Sequence, residues 1–386
     1  MKVAIICDHL LRRDHSVEMV ERVLEIYPEA EIYTLSHQQG VILGPLENVK
    51  IHASFLTHQV KTLSQLEEKF FLIPSACEVL SVPCSVDLAI TISSGLSLGV
   101  KKCEKTRSVV YLFGDSWSSI WEKNYLWGRG KLNFLSKFRR AFFGGFMDKW
   151  FLRHLKSADE IWFASEWIRN QVNLTGKIKA KTQQVVWPPF KIEDYPLIPS
   201  TLFKHDYWVV EADAVAPEFA QELITYFKNR GEKYYFIGND EQLSRYGLRE
   251  GHEDLFLSEK CSGELAPILS GCRALISSRI KGMPKNALAC LAEGRPLINC
   301  ESPLMLEYLG EGKGIFYMKE STIKEFIKCL SMLEVFENQE KEGPSQAMNI
   351  RARAMRFHSS AYKIKMKKLG LALIPSNPQN QSQSTL

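Results

Sequence analysis

ISSRIKGMPKNALACLAEGRPLIN, residues 276–299, decides how the rest of this chain is read. A β-rich apolar run breaks at Gly282-Met283-Pro284, continues as a short helix, and returns through Gly294-Arg295-Pro296 to a second strand at 296–299. In a parallel sheet, such a strand-loop-helix-strand unit sets its loop and helix amino terminus at the carboxyl edge. Open α/β sheets take their ligands at that edge, and helix amino termini attract anions.

Outward from this segment the same rhythm recurs. Upstream, 207–210, 234–237, 255–257 and 274–277 read as strands, with helices at 217–229 and 264–271. Downstream, 321–336 and 345–369 read as helices. Residues 188–204, with four prolines and no helical period, read as a linker. Before it, 3–7, 31–35, 87–92, 108–113, 160–164 and 184–187 are predicted strands. Apolar residues Val17, Val20, Val23, Leu24 and Tyr27 carry the spacing of a helix. The pattern predicts two α/β halves with parallel sheets. The expected layout is 1–189 plus a returning helix at about 350–370, a linker at 190–204, a second domain at 205–347, and a polar, disordered tail at 371–386.

With 386 residues, 45% hydrophobic and 24% charged, the chain has the composition of a water-soluble globular protein of two or three domains. Its net charge of +5 is too small to imply a nucleic-acid partner, and no nucleic-acid module is present. The nine cysteines form no CxxC pair, and several lie in apolar runs, so reduced buried thiols and a cytoplasmic location are expected. An uninterrupted run of only five apolar residues, 3–7, precedes Asp8. That is short of the roughly 7–15 of a secretory signal, and no run approaches the roughly 20 of a membrane span. GxGxxG after the first strand, GxxxxGK[ST] and HExxH are all lacking, and no metal ligand cluster is seen.

The ordered set of segments resembles the retaining glycosyltransferases of family 4, polysaccharide and mannosyl transferases of the GT-B fold. The resemblance runs through KVAIICDHLLRRDHSVEMVERVLEIYPEAEIYTL, VDLAITISSGLSLGV, SVVYLFGDSWSSIWEKNYLW and FMDKWFLRHLKSADEIWFASEWIRNQV. It continues with VVWPPF, YYFIGNDEQL, RALISSR, the GMP turn, LAEGRPLIN and RARAMRFHSSAYKIKM. It implies two Rossmann-like domains whose parallel sheets face a central cleft, no cofactor and no bound metal. The implied partners are a nucleotide-diphosphate sugar donor and a polysaccharide or lipid-linked glycan acceptor.

Position by position, the resemblance assigns Arg279, Lys281, Gly282, Met283, Asn286 and Glu307 to the donor, and the loop Arg13, His15, Ser16 and Glu18 to phosphate or acceptor. Several features depart from the family. Its two glutamates eight residues apart are replaced by Lys281 and Ala289, and neither Glu259 nor Glu293 restores the spacing. Its Arg and Lys after the first strand of the second domain are replaced by Glu211, Asp213 and Glu218, which would repel a diphosphate. Arg279, Lys281 and Lys285 are expected to compensate, or Lys281 and Lys285 are ordinary surface lysines. Arg12, Arg13 and His15 bind an anion, or form a solvated loop before a helix capped by Ser16. Asp115 is a general base or orients a sugar hydroxyl, or simply starts a turn. Glu307 contacts the donor, or is a carboxylate favoured by a nearby helix start.

Between 128 and 156, eight Lys and Arg stand against Asp148 alone, interleaved with Phe134, Phe138, Phe142, Phe143, Phe146, Trp150 and Phe151. Such a stretch suits peripheral contact with an anionic membrane at its cytoplasmic face, or a helix with an aromatic core side and a solvated basic side. Two functions fit: a hexosyltransferase with an atypical donor pocket, and a catalytically inactive glycosyltransferase-like protein that binds a glycan or a partner enzyme.

Overall fold

A computed structural model describes the chain apart from residues 43, 115–133, 177, 179–181, 198–206, 213, 239–255, 259–261, 281, 340–343 and 373–386. Two compact units emerge, one formed by Met1–Pro189 with the segment that begins at Ser360, the other by Phe190–Ser359.

The first unit holds β1 (Val3–Leu10), β2 (Glu31–His37), β3 (Ile51–Ala53), β4 (Ser81–Val82), β5 (Leu88–Ser93), β6 (Lys101–Lys102), β7 (Arg107–Leu112), β8 (Glu160–Phe163) and β9 (Thr182–Val185). Its parallel sheet runs β3-β2-β1-β5-β7-β8-β9. Every residue of β1 and β5 is buried, as strands covered by helices on both faces require. The helix His15–Leu24 buries Val17, Val20, Val23 and Leu24. Its cap is Asp14, not Ser16: the Asp14 carboxylate accepts from the backbone of Ser16 and Val17, and the Ser16 hydroxyl also donates to it at 2.6 Å.

One expectation about the cysteines fails. β4 and β6 form a separate two-stranded parallel pair, which brings Cys84 and Cys103 into a disulfide with Cα atoms 5.0 Å apart. Strands of two residues carry no readable period, so nothing in the sequence announced this approach. Cys7, Cys77, Cys272, Cys290, Cys300 and Cys329 are free and buried. Among the described residues, no helix is long and apolar enough to cross a membrane.

The second unit contains β10 (Tyr207–Glu211), β11 (Lys233–Gly238), β12 (Phe256–Ser258), β13 (Leu275–Ile276), β14 (Leu297–Cys300) and β15 (Ile315–Met318). They form a parallel sheet in the order β12-β11-β10-β13-β14-β15. Trp208 anchors one side, with ring centroids 5.6 Å from Phe227 and 5.7 Å from Phe326. The edge strands β3 and β15 add to those the sequence predicts.

The single helix expected over 345–369 is interrupted. Pro344–Ala354 is followed by a tight turn at Met355–Phe357 and then by Ser359–Ala372. The break is fixed by Phe190, whose N–H donates to the Phe357 carbonyl at 2.7 Å and whose carbonyl accepts from the Ser359 hydroxyl at 3.0 Å. Beyond it the chain rejoins the first unit, where Tyr362 packs edge-on against Tyr111 and Met366 is buried. Residues 198–204 of the expected linker and 373–386 of the expected tail lie outside the described residues.

Candidate functional site

Both sheets reverse their strand order beside the first strand, between β1 and β5 in one unit and between β10 and β13 in the other. At such a switch point neighbouring loops diverge and leave a crevice at the carboxyl edge. In the second unit, Val210 pairs with Ile276, so Glu211 stands level with Ser277 on the adjacent strand. Glu211 is 1% exposed, and its carboxylate is held from several sides. Ser277 Oγ donates to Oε2 at 2.6 Å. Arg279 donates to Oε1 through Nε at 3.2 Å and Nη2 at 2.6 Å, and Asn286 Nδ2 donates to the same oxygen at 3.2 Å.

The loop that follows β13 is fastened by its backbone. Arg279 N–H donates to Ser277 Oγ, Asn299 Nδ2 donates to the Arg279 carbonyl at 3.0 Å, and Ser302 Oγ donates to the Ile280 carbonyl at 3.0 Å. Gly282 turns with φ +76°, a conformation that strains any other residue, and a side chain there would meet only open space. The helix Lys285–Ala292 starts behind Pro284 with no side-chain cap; its first N–H, that of Lys285, donates to the Met283 carbonyl at 3.0 Å, and the N–H groups that follow in its first turn are directed at this loop. Met283 is half-buried and Asn286 is buried.

Among the described residues, three buried polar atoms in this neighbourhood have no hydrogen-bond partner: Asn286 Oδ1, Ser278 Oγ and Asn299 Oδ1. The orientation of Asn286 follows from chemistry, because a carboxylate paired with arginine only accepts, so the amide nitrogen must face Glu211. Its carbonyl oxygen is left as an acceptor in want of a donor.

Sequence reasoning selected Arg279 and Asn286 but not the carboxylate that joins them. Lys281 lies outside the described residues. Glu307 sits in the second turn of the helix Pro303–Leu309, beyond reach of its dipole, and its charge acts on Arg356.

In the first unit the equivalent position is Asp8, level with Ser93 because Cys7 pairs with Ile92. Asp8 accepts from Ser93 Oγ, Ser94 N and Oγ, and Ser97 N and Oγ. Gly114 lies so close that a Cβ would come 2.5 Å from the Ser94 carbonyl. Arg13 Nη2 donates to both carboxylate oxygens of Glu21, at 2.8 and 2.7 Å, and burial raises the Glu21 carboxyl above its ordinary range against this pull. His15 has both ring nitrogens buried without hydrogen bonds, with Glu18 3.6 Å from Nδ1. Ser16 is occupied by Asp14. Asp115 lies outside the described residues.

Glu293, passed over above for its spacing, is 1% exposed with both carboxylate oxygens unbonded. Burial pushes its carboxyl up to about 7, while Arg351 and Arg295 pull it back. The folded chain then keeps a proton that the unfolded chain has released, so stability falls as pH rises from the ordinary glutamate value of 4.5 to about 7. Glu293→Gln is expected to flatten that slope and to stabilise the protein at pH 8 by roughly 1–2 kcal/mol. Urea denaturation across this range checks it, and an unaltered slope would refute the assignment.

Of the basic aromatic stretch, 128–133 and the side chains of 134–144 lie outside the described residues. Further along, Phe146, Lys149, Arg153 and Lys156 are exposed at helical spacing, while Met147, Phe151 and Leu155 are buried on the other side. Among the described residues, no group of three or more His, Cys, Asp or Glu side chains is placed to hold a metal.

No family model matches the chain, and no curated protein matches it in sequence. Solved structures do. HepE from Anabaena, in complexes with UDP, UDP and glucose, or UDP-glucose, superposes with TM-scores of 0.63–0.64 at 12% identity, covering 96% of this chain and 99–100% of HepE. Sucrose-phosphate synthase from Thermosynechococcus elongatus gives 0.68 at 11% identity, over 97% of this chain and 99% of that one. A glycosyltransferase from Rickettsia africae gives 0.55 at 11% identity, with the same coverage. At such identities the likeness establishes the fold: two-unit α/β with parallel sheets, as in GT-B glycosyltransferases.

Proposed function

We propose that the protein is a glycosyltransferase of the retaining, family 4 kind. It moves a hexose from a nucleotide-diphosphate sugar to a polysaccharide or lipid-linked glycan. The observation that carries this reading is the edge of the second sheet, where an uncapped helix amino terminus, an open Gly282 turn and the buried acceptor Asn286 Oδ1 converge. HepE, which shares the fold, has been solved with UDP-glucose.

The chemistry asked of each group is simple. The departing nucleoside diphosphate gains negative charge, which the first-turn N–H groups of Lys285–Ala292 beyond Lys285, together with the helix dipole, stabilise. Asn286 Oδ1 accepts from a ligand hydroxyl. Lys281, by its place in the sequence, adds positive charge beside the diphosphate. Asp115 is assigned to orienting the acceptor hydroxyl, with the Arg13–Glu18 loop on the acceptor side.

A panel of nucleotide sugars tested by thermal shift examines the proposal. One nucleotide-diphosphate sugar at a hundred times its Kd is expected to stabilise the protein by about 2.7 kcal/mol. No stabilisation across the panel would favour a second reading, a non-catalytic protein that binds a glycan or a partner enzyme. One observation supports that alternative: Arg279, a cation the donor would use, is already paired with Glu211.

A lipid-linked acceptor would give the Phe146, Lys149, Arg153 and Lys156 face a task, contact with an anionic membrane surface. Lys149→Glu with Arg153→Glu is expected to weaken sedimentation with phosphatidylglycerol vesicles about tenfold or more. Equal sedimentation of both proteins would remove the membrane from the account.

A further inference from the structure

Glu211 is the least expected residue in the candidate donor site, since a carboxylate beside a diphosphate opposes binding. Its surroundings change that judgement. The carboxylate gathers Arg279, Ser277 and Asn286, a set of donors well suited to holding a phosphate. It is buried, so little solvent screens it. It stands at the switch point of the sheet, fixed there by register with β13 and not by a mobile loop.

We infer that Glu211 is the specificity-determining residue of this edge: it keeps Arg279 from the donor's phosphates and turns Asn286 so that a ligand hydroxyl is recognised. The inference rests on the nucleotide-sugar reading above. Two consequences follow from the geometry. With Arg279 neutralised in place, that cation contributes little to the diphosphate, whose contacts fall to the helix amino terminus. With Asn286 Nδ2 committed to Glu211, its Oδ1 takes a hydroxyl proton, from either the hexose or the ribose. Glu211 acts through Arg279 and Asn286 and is in this sense a positioning residue.

The test measures binding of UDP and of UDP-glucose by calorimetry at two salt concentrations. Glu211→Gln keeps the shape and removes the charge. It is expected to raise UDP affinity about tenfold, the worth of one charge-assisted hydrogen bond, and to steepen its salt dependence. A damaged fold would lower affinity, so a gain separates positioning from mere structure. In the same variant the extra affinity of UDP-glucose over UDP is expected to shrink if Asn286 reads the hexose. It stays constant if Asn286 reads the ribose.

Should Glu211→Gln fail to fold, the charge-balanced pair Glu211→Gln with Arg279→Met serves instead. It is expected to hold UDP within about twofold of the unaltered protein, because a neutralised arginine contributes little. Unchanged or weaker UDP binding in Glu211→Gln, or a tenfold loss in the paired variant, would overturn the inference. Failure of the unaltered protein to bind either ligand would instead count against the nucleotide-sugar reading. A gain of UDP binding in Glu211→Gln would still support the role of Glu211.

Discussion

Arg279→Met is expected to destabilise the second unit by about 3–5 kcal/mol, because it strands a buried carboxylate without its counter-charge. Glu211 is 1% exposed, whereas the Arg279 side chain keeps 23% of its surface in solvent. The cost therefore falls mainly on the acid. Ser277 and Asn286 continue to donate to Glu211, but neutral donors cannot offset a full charge away from water. Combining Arg279→Met with Glu211→Gln should recover most of the loss, since a double-mutant cycle cancels the charge removed on each side. Urea denaturation of the single and paired variants measures both. A single-variant loss below about 1 kcal/mol would mean that the pair is a surface contact.

Asp8→Ala is expected to cost about 3 kcal/mol or more in the first unit, because several donors lose one acceptor together. Ser93 and Ser97 have no exposed surface, so water cannot replace the carboxylate there. The hydroxyls can rotate to other partners and the Ser97 N–H keeps Ser93 Oγ at 3.4 Å, but the Ser94 N–H loses its acceptor. Asp8→Asn should cost less, as its remaining carbonyl oxygen still accepts. Equilibrium unfolding in urea separates the three proteins. If Asp8→Ala unfolds within about 1 kcal/mol of the original, the hub does not hold the loop as argued.

Asp8 and Glu211 also explain what could be read in advance. Both lie in the carboxyl-terminal part of a first strand, and both meet the first serine of a doublet, Ser93-Ser94 in one unit and Ser277-Ser278 in the other. The alternation of apolar strands with helical stripes was enough to predict parallel sheets in both halves, because strands covered on two faces are apolar throughout. The site was only half legible. Arg279 and Asn286 stood out in a basic, glycine-containing turn, but Glu211 was read as an acid hostile to phosphate. Its partner is 68 residues away, and only the register of β10 with β13 brings them level. The disulfide escaped for a related reason, since Cys84 and Cys103 meet through a pairing of two-residue strands. The continuous helix predicted over 345–369 ignored Phe190, whose hydrogen bonds break it from a distant part of the sequence.

Amide hydrogen exchange with and without a stabilising nucleotide-diphosphate sugar tests the central claim most directly. Slower exchange at 282–288, where the turn enters the Lys285–Ala292 helix, is the expected result. Protection confined to other segments, with these amides unaffected, would contradict the assignment of the donor to this edge.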